Sequence, residues 1–475
     1  MDVLVIGTNR NVLPMPVMPH GACLAAEAAE RAGHRVRLLD LMFERDPVKA
    51  IGRALRESRP DVVGISIRNI DNNDLHAPVY VLRELPSLLA AVRGGTDAPI
   101  VLGGAAVGVM PEQLLRLTKA SCCALGDAET VFPPLLERLA RGENPGGLPG
   151  VGVIEDGVYR AGAPPAAATG CRCRPPAFRR WLDTRAYLTR LCTVPVQTKL
   201  GCRFRCVYCT YRKLEGGDYR LSEPGAVAEE VARLAAEGLR HIEFVDNVFN
   251  SPREHALGIC EHLARTPHRA SLQSLELNPL FVDDELFDAL GRAGFAGVGI
   301  TVESASDEVL AGLRKGFGAE HVHRAAEVVR RHRLPCVWIF MFGGPNETQE
   351  TVRETLRFAE RCVRPSDIAF FGCGIRVYPG TELETIARAQ GLLTLPAERM
   401  LEPVFYVSPG VEADWIREET LSALRRNMRF MSGDSLNFRF LPQLHRVGYA
   451  LGLRPPLWTH TAAVRRTLRA VGMDV

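Results

Sequence analysis

The chain has 475 residues, a formal net charge of +3 and 46% hydrophobic residues, which is typical of a globular protein of about two to four domains. The near-neutral charge argues against a dedicated nucleic-acid binder, and thirteen cysteines in so long a chain do not suggest the disulfide framework of a small secreted protein. The opening residues MDVLVIG lack a signal-peptide pattern and no apolar run approaches about 18 residues, so we expect a protein of the reducing cytoplasm with no membrane partner.

Residues 1–145 alternate short apolar strands with amphipathic helices. Continuous runs of Val, Ile and Leu in such strands indicate a parallel sheet that helices cover on both faces. We therefore predict an α/β, doubly wound, Rossmann-like first domain. The segments are the strand VLVIG (3–7), the helix ACLAAEAAERAG (22–33), the strands DVVGISI (61–67) and APIVLGG (98–104), and the strand and helix within 120–142.

Residues 146–190 are rich in Gly, Pro and Ala and interrupt this alternation. Such a composition predicts a linker. Within it, VGVIEDGVYRAG places Asp156 and Gly157 between two short apolar runs, which favours a tight hairpin turn.

Strands and helices alternate again from residue 191 to residue 395. Six such β/α units predict a partial, six-stranded TIM-like barrel, in which chemistry takes place where the strands end. The strand pattern stops at residue 396, which predicts a helical C-terminal domain over 396–475. The predicted strands are VPVQTKLG (194–201), HIEFVDNVF (241–249), SLQSLELNP (271–279), GVGITVES (297–304), CVWIFMFGG (336–344) and IAFFGCGIRVYPG (368–380).

Three cysteines stand close together after the first predicted barrel strand, in KLGCRFRCVYCTYR. Cys202, Cys206 and Cys209 have the spacing C-x3-C-x2-C. Thiolates suit zinc, copper(I) and iron–sulfur clusters, but a structural zinc site needs four ligands, and no nearby cysteine has the spacing of a fourth. A cubane cluster on three cysteines leaves one iron open to another ligand. The alternative is three free thiols in a loop.

This motif, after the first strand of such a barrel, resembles the radical S-adenosylmethionine (radical SAM) superfamily, and the resemblance covers residues 190–395. It implies a 4Fe-4S cluster on Cys202, Cys206 and Cys209, whose open iron binds S-adenosylmethionine (SAM). An electron from that cluster would cleave SAM to a 5′-deoxyadenosyl radical. The resemblance therefore also implies an external electron donor, flavodoxin-like or ferredoxin-like.

Other residues match SAM-contacting positions of the superfamily. Tyr208 implies an adenine contact, and EFVDNVF implies that Asp246 or Asn247 meets the SAM amino group. The segment ITVESASDE implies a ribose or amino contact for Glu303, and IRVYPGTEL implies that Arg376 pairs with a carboxylate. The residues alone also allow a helix-capping role for Glu303 and an incidental arginine at position 376.

The first domain is similar to the cobalamin-binding domains that are fused to many radical SAM enzymes. The similarity rests on VLGG and LGDAET, which contain Gly103, Gly104, Gly126 and Glu129. It implies that glycine loops at the strand ends accommodate the nucleotide tail of the corrinoid, in the crevice expected of an open α/β sheet.

The first loop departs from that family, because residues 7–26 contain no D-x-H-x-x-G, the motif whose His binds cobalt from below. We therefore expect cobalamin with its base displaced and no His ligand. The loop SIRNIDNND follows a predicted strand and offers Arg68 and Asn69, with Asp71 and Asn72, as corrin contacts. The alternative for each is an Asn/Asp-rich turn.

These features together predict a cobalamin-dependent radical SAM methyltransferase that acts on an unactivated carbon of a small specialised metabolite. The alternative is a non-methylating enzyme with the same cofactors, which cyclises, rearranges or oxidises its substrate. A tRNA methylthiotransferase would need a second three-cysteine cluster, and a corrinoid sensor would need no SAM-cleaving barrel. We favour neither of these two.

Overall fold

The computed structural model describes residues 1–165, 174–433 and 440–470. Two seven-stranded sheets, the first mainly and the second entirely parallel, are accompanied by helices and followed by a mainly helical tail. Within these described ranges, no helix is both long and apolar enough to cross a membrane.

The first sheet has seven strands. They are β1 (Asp2–Gly7), β2 (Arg35–Asp40), β3 (Val62–Ser66), β4 (Ile100–Gly103), β5 (Cys122–Ala124), β6 (Val151–Glu155) and β7 (Val158–Ala161). Their order is β2-β1-β3-β4-β5-β6-β7, and the first five are parallel, which confirms the predicted doubly wound fold. The predicted hairpin is confirmed as β6 and β7, and Asp156 and Gly157 have φ of 49° and 76° at its turn. Because β6 pairs antiparallel with β5, this sheet extends beyond residue 145.

The second sheet is the predicted partial barrel. The remaining strands are β8 (Val194–Val196), β9 (Lys199–Leu200), β10 (Arg220–Leu221), β11 (His241–Phe244), β12 (Ser271–Leu277), β13 (Phe295–Glu303), β14 (Cys336–Phe342), β15 (Ile368–Cys373), β16 (Ile375–Arg376), β17 (Phe405–Tyr406) and β18 (Phe430–Ser432). The barrel order is β18-β15-β14-β13-β12-β11-β8, so the six predicted strands are confirmed.

The prediction that strands stop at residue 396 is wrong for two short elements. Strand β17 pairs with β16, and β18 adds a seventh strand beside β15. Each has only two or three residues, which is too short for an alternating pattern to be visible in the sequence. Pairing with an existing strand, rather than local propensity, therefore accounts for them.

Helices cover both sheets, and side-chain caps define several of their first turns. Asp46 accepts a hydrogen bond from the Lys49 amide and Asp283 from the Leu286 amide, at 3.1 and 2.9 Å. The helices are α1 (His20–Arg31), α2 (Pro47–Ser58), α3 (Leu85–Arg93), α4 (Ala105–Val109), α5 (Pro111–Thr118), α6 (Ala128–Ala140), α7 (Phe178–Trp181), α8 (Thr184–Leu188), α9 (Tyr211–Glu215), α10 (Pro224–Ala236), α11 (Arg253–Arg265), α12 (Asp284–Arg292), α13 (Asp307–Gly312), α14 (Ala319–Arg331), α15 (Gln349–Cys362), α16 (Glu382–Ala389), α17 (Ala413–Arg426), α18 (Leu441–Ala450) and α19 (Thr461–Ala470).

The two sheets share part of their hydrophobic core. One buried cluster contains Ile65 and Leu102 of the first sheet together with Val207 and Ile375, which flank the barrel. Apolar burial of this kind is the main favourable contribution to packing. The carboxyl ends of the first sheet and the mouth of the barrel therefore meet in one continuous interface.

Candidate active site

The three predicted cluster cysteines lie in one loop, between β9 and α9, after the first barrel strand. Cys202 is buried, Cys206 and Cys209 are half-buried, and all three are free thiols. Burial raises the pKa of each thiol, to about 12 at Cys209, where the neighbouring Cys206 and Cys202 raise it further. This mutual effect means that the three sulfur atoms lie close together.

This donor set fits an iron–sulfur cluster. It offers three soft sulfur ligands, which are the ligands that hold such clusters. Within the described part of the chain, no group of three or more His, Cys, Asp or Glu side chains surrounds a position for a single metal ion. A cubane has a different requirement, because each thiolate binds a different iron atom. The three thiols therefore fit the ligand requirement of such a cluster.

Asp246 holds the strand that enters the cysteine loop. Its carboxylate accepts hydrogen bonds from the Thr198 amide at 2.7 Å, the Thr198 hydroxyl at 2.6 Å and the Lys199 amide at 3.1 Å. The residue is fully buried, and its two oxygens are both used by these donors. The structure therefore gives Asp246 a positioning role behind the loop, instead of leaving it open to a ligand as the sequence predicted.

Asn247 belongs to a second network that holds the same loop. Its side chain donates to Glu215 at 2.7 Å, and Glu215 also accepts from the amide of Gly201 at 3.1 Å and from Gln197 at 3.2 Å. Gly201 has φ of 90°, and a Cβ there would lie 2.1 Å from the carbonyl oxygen of Asp218. Only glycine fits this backbone, which turns the chain toward Cys202.

Tyr208 and Glu303, which the sequence placed near SAM, are in direct contact. The Tyr208 hydroxyl donates to Glu303 at 2.7 Å, and the Lys315 ammonium group donates to both at 3.1 Å. Burial alone would lower the pKa of Lys315, but Glu303 and Tyr208 hold it well above its usual value. The charge of Lys315 also lowers the pKa of all three cysteines, so this buried cation lies beside the thiols.

Lys315 and Glu276 are site residues that the sequence reasoning missed. Lys315 lies in the sequence segment that follows Glu303. Its charge within that segment is the feature of the sequence that could have identified it. Glu276 lies on β12, and burial together with the charge of Glu303 raises its pKa to about 8. Its carboxylate accepts no hydrogen bond from the described residues, and neither its position nor its ionisation has a signature in the sequence.

Arg376, which the resemblance implied at a ligand carboxylate, pairs instead with a carboxylate of the first domain. Its Nε donates to Asp71 at 2.8 Å, and its other nitrogens donate to the carbonyls of Val377 and Met400 at 2.7 and 2.8 Å. Both charged side chains are almost completely buried. Arg376 therefore joins the two domains.

A cavity of about 560 Å³ lies between the first domain and the open side of the barrel. Arg68, Asn69 and Asn72 line it, as does His76, whose buried Nε2 has no hydrogen-bond partner among the described residues. Burial lowers the pKa of Arg68, while the charges of Tyr211 and Glu243 raise it. Arg68 therefore extends from the first domain toward the helix that follows the cysteines and toward the barrel interior.

The predicted glycine loops lie outside the lining of this cavity. Gly104 has φ of 99°, and a Cβ there would lie 2.4 Å from the carbonyl oxygen of Ile67, whereas a Cβ on Gly103 would meet no atom within 4 Å. Gly126 is exposed with φ of 100°. Glu129 is exposed and forms an ion pair with Arg31 on α1. The predicted corrinoid residues therefore form two separate groups.

Two family models match the two domains described above. The B12 binding domain matches residues 8–136, and the Radical SAM superfamily matches residues 196–359. The chain combines a B12 binding domain with a radical SAM domain. Residues 202–209 of this radical SAM protein, with its three cysteines, lie within the second match.

Curated relatives of this radical SAM protein carry methyltransferase names. It is 26% identical over 444 residues to the tryptophan 2-C-methyltransferase of Streptomyces laurentii, covering 78% of this chain and 72% of the relative. It is 27% identical over 370 residues to the hopanoid C-3 methylase of Methylococcus capsulatus, covering 77% and 67%. An uncharacterised methyltransferase of Pyrococcus horikoshii is 26% identical over 369 residues, covering 76% and 77%.

Solved structures share the fold of this radical SAM protein. The radical SAM methyltransferase TsrM from Kitasatospora setae, solved with cobalamin and a [4Fe-4S] cluster, has a TM-score of 0.85, 24% identity and coverage of 98% of both chains. The cobalamin-dependent radical enzyme OxsB has a TM-score of 0.68 and 14% identity, covering 99% of this chain and 75% of its own. These likenesses establish the two-domain architecture.

Proposed function

We propose that the protein is a cobalamin-dependent radical SAM methyltransferase that methylates an unactivated carbon of a small specialised metabolite. The observation that carries the proposal is the placement of Arg68. This side chain of the B12 binding domain lies in the cavity of the barrel, near Tyr211, two residues after the last cysteine of the loop. The cavity therefore brings a candidate corrinoid residue close to the helix that follows the cysteine loop.

The names of the relatives support methylation in particular. All three of the curated relatives described above are named methyltransferases or a methylase, and two of them by their names act on carbon atoms. TsrM, which has the same fold over the whole chain, has also been solved with a tryptophan substrate. A small-molecule substrate is therefore part of the proposal.

The residues of this chain would bind and orient the cofactors. When bound, the cluster, SAM and cobalamin supply reductive SAM cleavage and methyl-group transfer. Cys202, Cys206 and Cys209 would hold the cluster, with the electron supplied by a flavodoxin-like or ferredoxin-like donor. Lys315 and Glu303 would place fixed opposite charges next to it, and the apolar cavity wall would exclude water from the reacting groups.

Cobalamin would bind with its base displaced and without a His ligand. His20, at the start of α1, is half-buried beside Phe178, with ring centroids 6.0 Å apart, and desolvation lowers its pKa to about 4. It does not line the cavity. His76 does line it, so this histidine is the one for which the proposal needs a direct test.

Mass spectrometry of SAM products tests the proposed function. The protein is reconstituted anaerobically with iron, sulfide and cobalamin and is then reduced in the presence of SAM. Formation of both 5′-deoxyadenosine and S-adenosylhomocysteine is the expected result, because methylation consumes SAM by both routes. Deoxyadenosine alone would contradict methylation and support the cyclising or rearranging alternative, and the absence of both products would overturn the assignment of a SAM-cleaving enzyme.

A further inference from the structure

The part of the cavity that reaches into the barrel has an apolar wall and one oriented carboxylate. Val245, Leu275 and Phe370 supply apolar surface, and Glu243 lies beside them on β11. Such a wall favours an apolar body, while a single polar group fixes the orientation of a ligand. Glu243 is therefore the residue to examine for substrate selection.

Two neighbours hold Glu243 through the same oxygen. The Thr193 hydroxyl donates to its Oε2 at 2.6 Å, and the Gln273 side-chain amide donates to the same atom at 2.8 Å. These bonds orient the carboxylate and leave Oε1 without a donor among the described residues. The carboxylate of Glu243 therefore retains one acceptor atom that no described residue uses.

The other charged side chains of the cavity do not pair with Glu243. Asp71 and Asp74 are carboxylates themselves, and Asp71 is committed to Arg376. Arg417 also lines the cavity, but no ion pair joins it to Glu243 in the described part of the chain. Against the effect of burial, the charge of Glu243 raises the pKa of Arg68, but the two side chains form no ion pair in the described structure. A carboxylate with no ionic partner in a partly buried site is unfavourable, so a ligand with a cation would complete it.

We propose that Glu243 selects a substrate with a protonated amine attached to an apolar body, and that this amine donates to Glu243 Oε1. This inference rests on the proposed function only in taking the bound molecule to be the methyl acceptor. The chemistry of recognition itself follows from the oriented carboxylate and the apolar wall. A hydrogen bond between two charged groups is stronger than one from a neutral hydroxyl, so the amine should be favoured by about tenfold or more over its alcohol.

Equilibrium binding of matched ligand pairs to the reconstituted holoenzyme tests the inference. The probes are tryptamine with tryptophol, and phenethylamine with phenethyl alcohol, measured anaerobically by saturation-transfer NMR and by equilibrium dialysis. We expect the amine of at least one pair to bind about tenfold more tightly than its alcohol. Glu243→Gln keeps the size of the side chain and should remove that preference. Glu254→Gln, an exposed position on α11, is the matched control and should retain it.

Three results would overturn the inference. They are equal binding of amine and alcohol in both pairs, no binding of either amine, and an amine preference that persists in Glu243→Gln. Cobalamin and iron contents equal to those of the wild type show that the variant is folded. Because the test measures binding, its failure is distinct from failure of the proposed function, which would appear as missing SAM products in the wild-type protein.

Discussion

Arg376 and Asp71 form a buried ion pair that joins the two domains, with 2.8 Å between Nε and Oδ2 across 305 residues of sequence. Asp71 also accepts the amide of Asn73 at 2.9 Å, and the hydroxyl of Tyr378, two residues after Arg376, donates to the side chain of Asn73 at 2.8 Å. The loop that lines the cavity is therefore attached to the barrel at two adjacent points. This attachment sets the position of Arg68 and Asn69 relative to the barrel interior.

Arg376→Ala should destabilise the protein by about 3–5 kcal/mol, because it leaves Asp71 buried and unpaired. The midpoint of thermal unfolding measures the effect. Arg265→Ala, which removes an exposed pair with Glu261, is the control and should change stability by less than about 1 kcal/mol. Adding Asp71→Ala to Arg376→Ala should recover part of the loss. A double variant that is less stable by the sum of the single effects would contradict the pairing.

Replacement of Cys202, Cys206 or Cys209 by Ala should abolish SAM cleavage, because two thiolates cannot hold the cluster in place. Iron and sulfide analysis and the yield of 5′-deoxyadenosine are the measurements. Cys362→Ala, a half-buried thiol at the end of α15, is the control and should retain the iron content of the wild type. A loop variant that still forms deoxyadenosine at the native rate would refute the cluster assignment.

Gly103→Leu should leave the fold intact, because the new side chain would extend into open space at the end of β4. The predicted site places cobalamin in that space, so the side chain should weaken cobalamin retention by about tenfold. Gly104→Ala should instead destabilise the protein even without cobalamin, since its Cβ would collide with the backbone of Ile67. Absorbance of retained corrinoid after gel filtration measures the first effect. Gly291→Leu, at an open position on α12, is the control. Unchanged corrinoid retention in Gly103→Leu would refute the predicted site.

Glu276 should make the cofactor-free protein less stable as the pH rises. Its pKa is 4.5 in the unfolded reference and about 8 in the folded protein, so the native state holds the extra proton between these values. The free energy of unfolding therefore falls across that window, by on the order of a few kcal/mol. Between pH 6 and pH 8.5, the free energy of unfolding should fall less in Glu276→Gln than in the wild type. The difference between the two falls should be on the order of one to a few kcal/mol. Equal losses would show that Glu276 is already ionised at neutral pH.

The cob(II)alamin form should show no nitrogen splitting in its electron paramagnetic resonance spectrum, because the proposal places neither the base nor a histidine below the cobalt. His76→Ala should leave that spectrum unchanged. Nitrogen splitting that is present in the wild type and lost in His76→Ala would instead identify His76 as an axial ligand.

Local patterns in the sequence determined the two-domain architecture and the cluster loop. Buried parallel strands appear as contiguous apolar runs, so β1, β3 and β14 could be identified without knowledge of their partners. The three cysteines occupy eight residues, and their spacing is set by a single loop. Both signals are contained in short segments of chain, which is why they predicted the fold and the type of cofactor.

Tertiary structure decided which side chains meet. Arg376 was expected at a ligand but lies on Asp71, because the interface between the domains excludes water and makes an unpaired charge there unfavourable. Asp246 was expected to be open, yet the strand that enters the cysteine loop occupies its carboxylate. The pKa of Glu276 and the orientation of Glu243 depend on groups from other strands. Burial and through-space charge have no local period in a sequence, so only the folded chain specifies them.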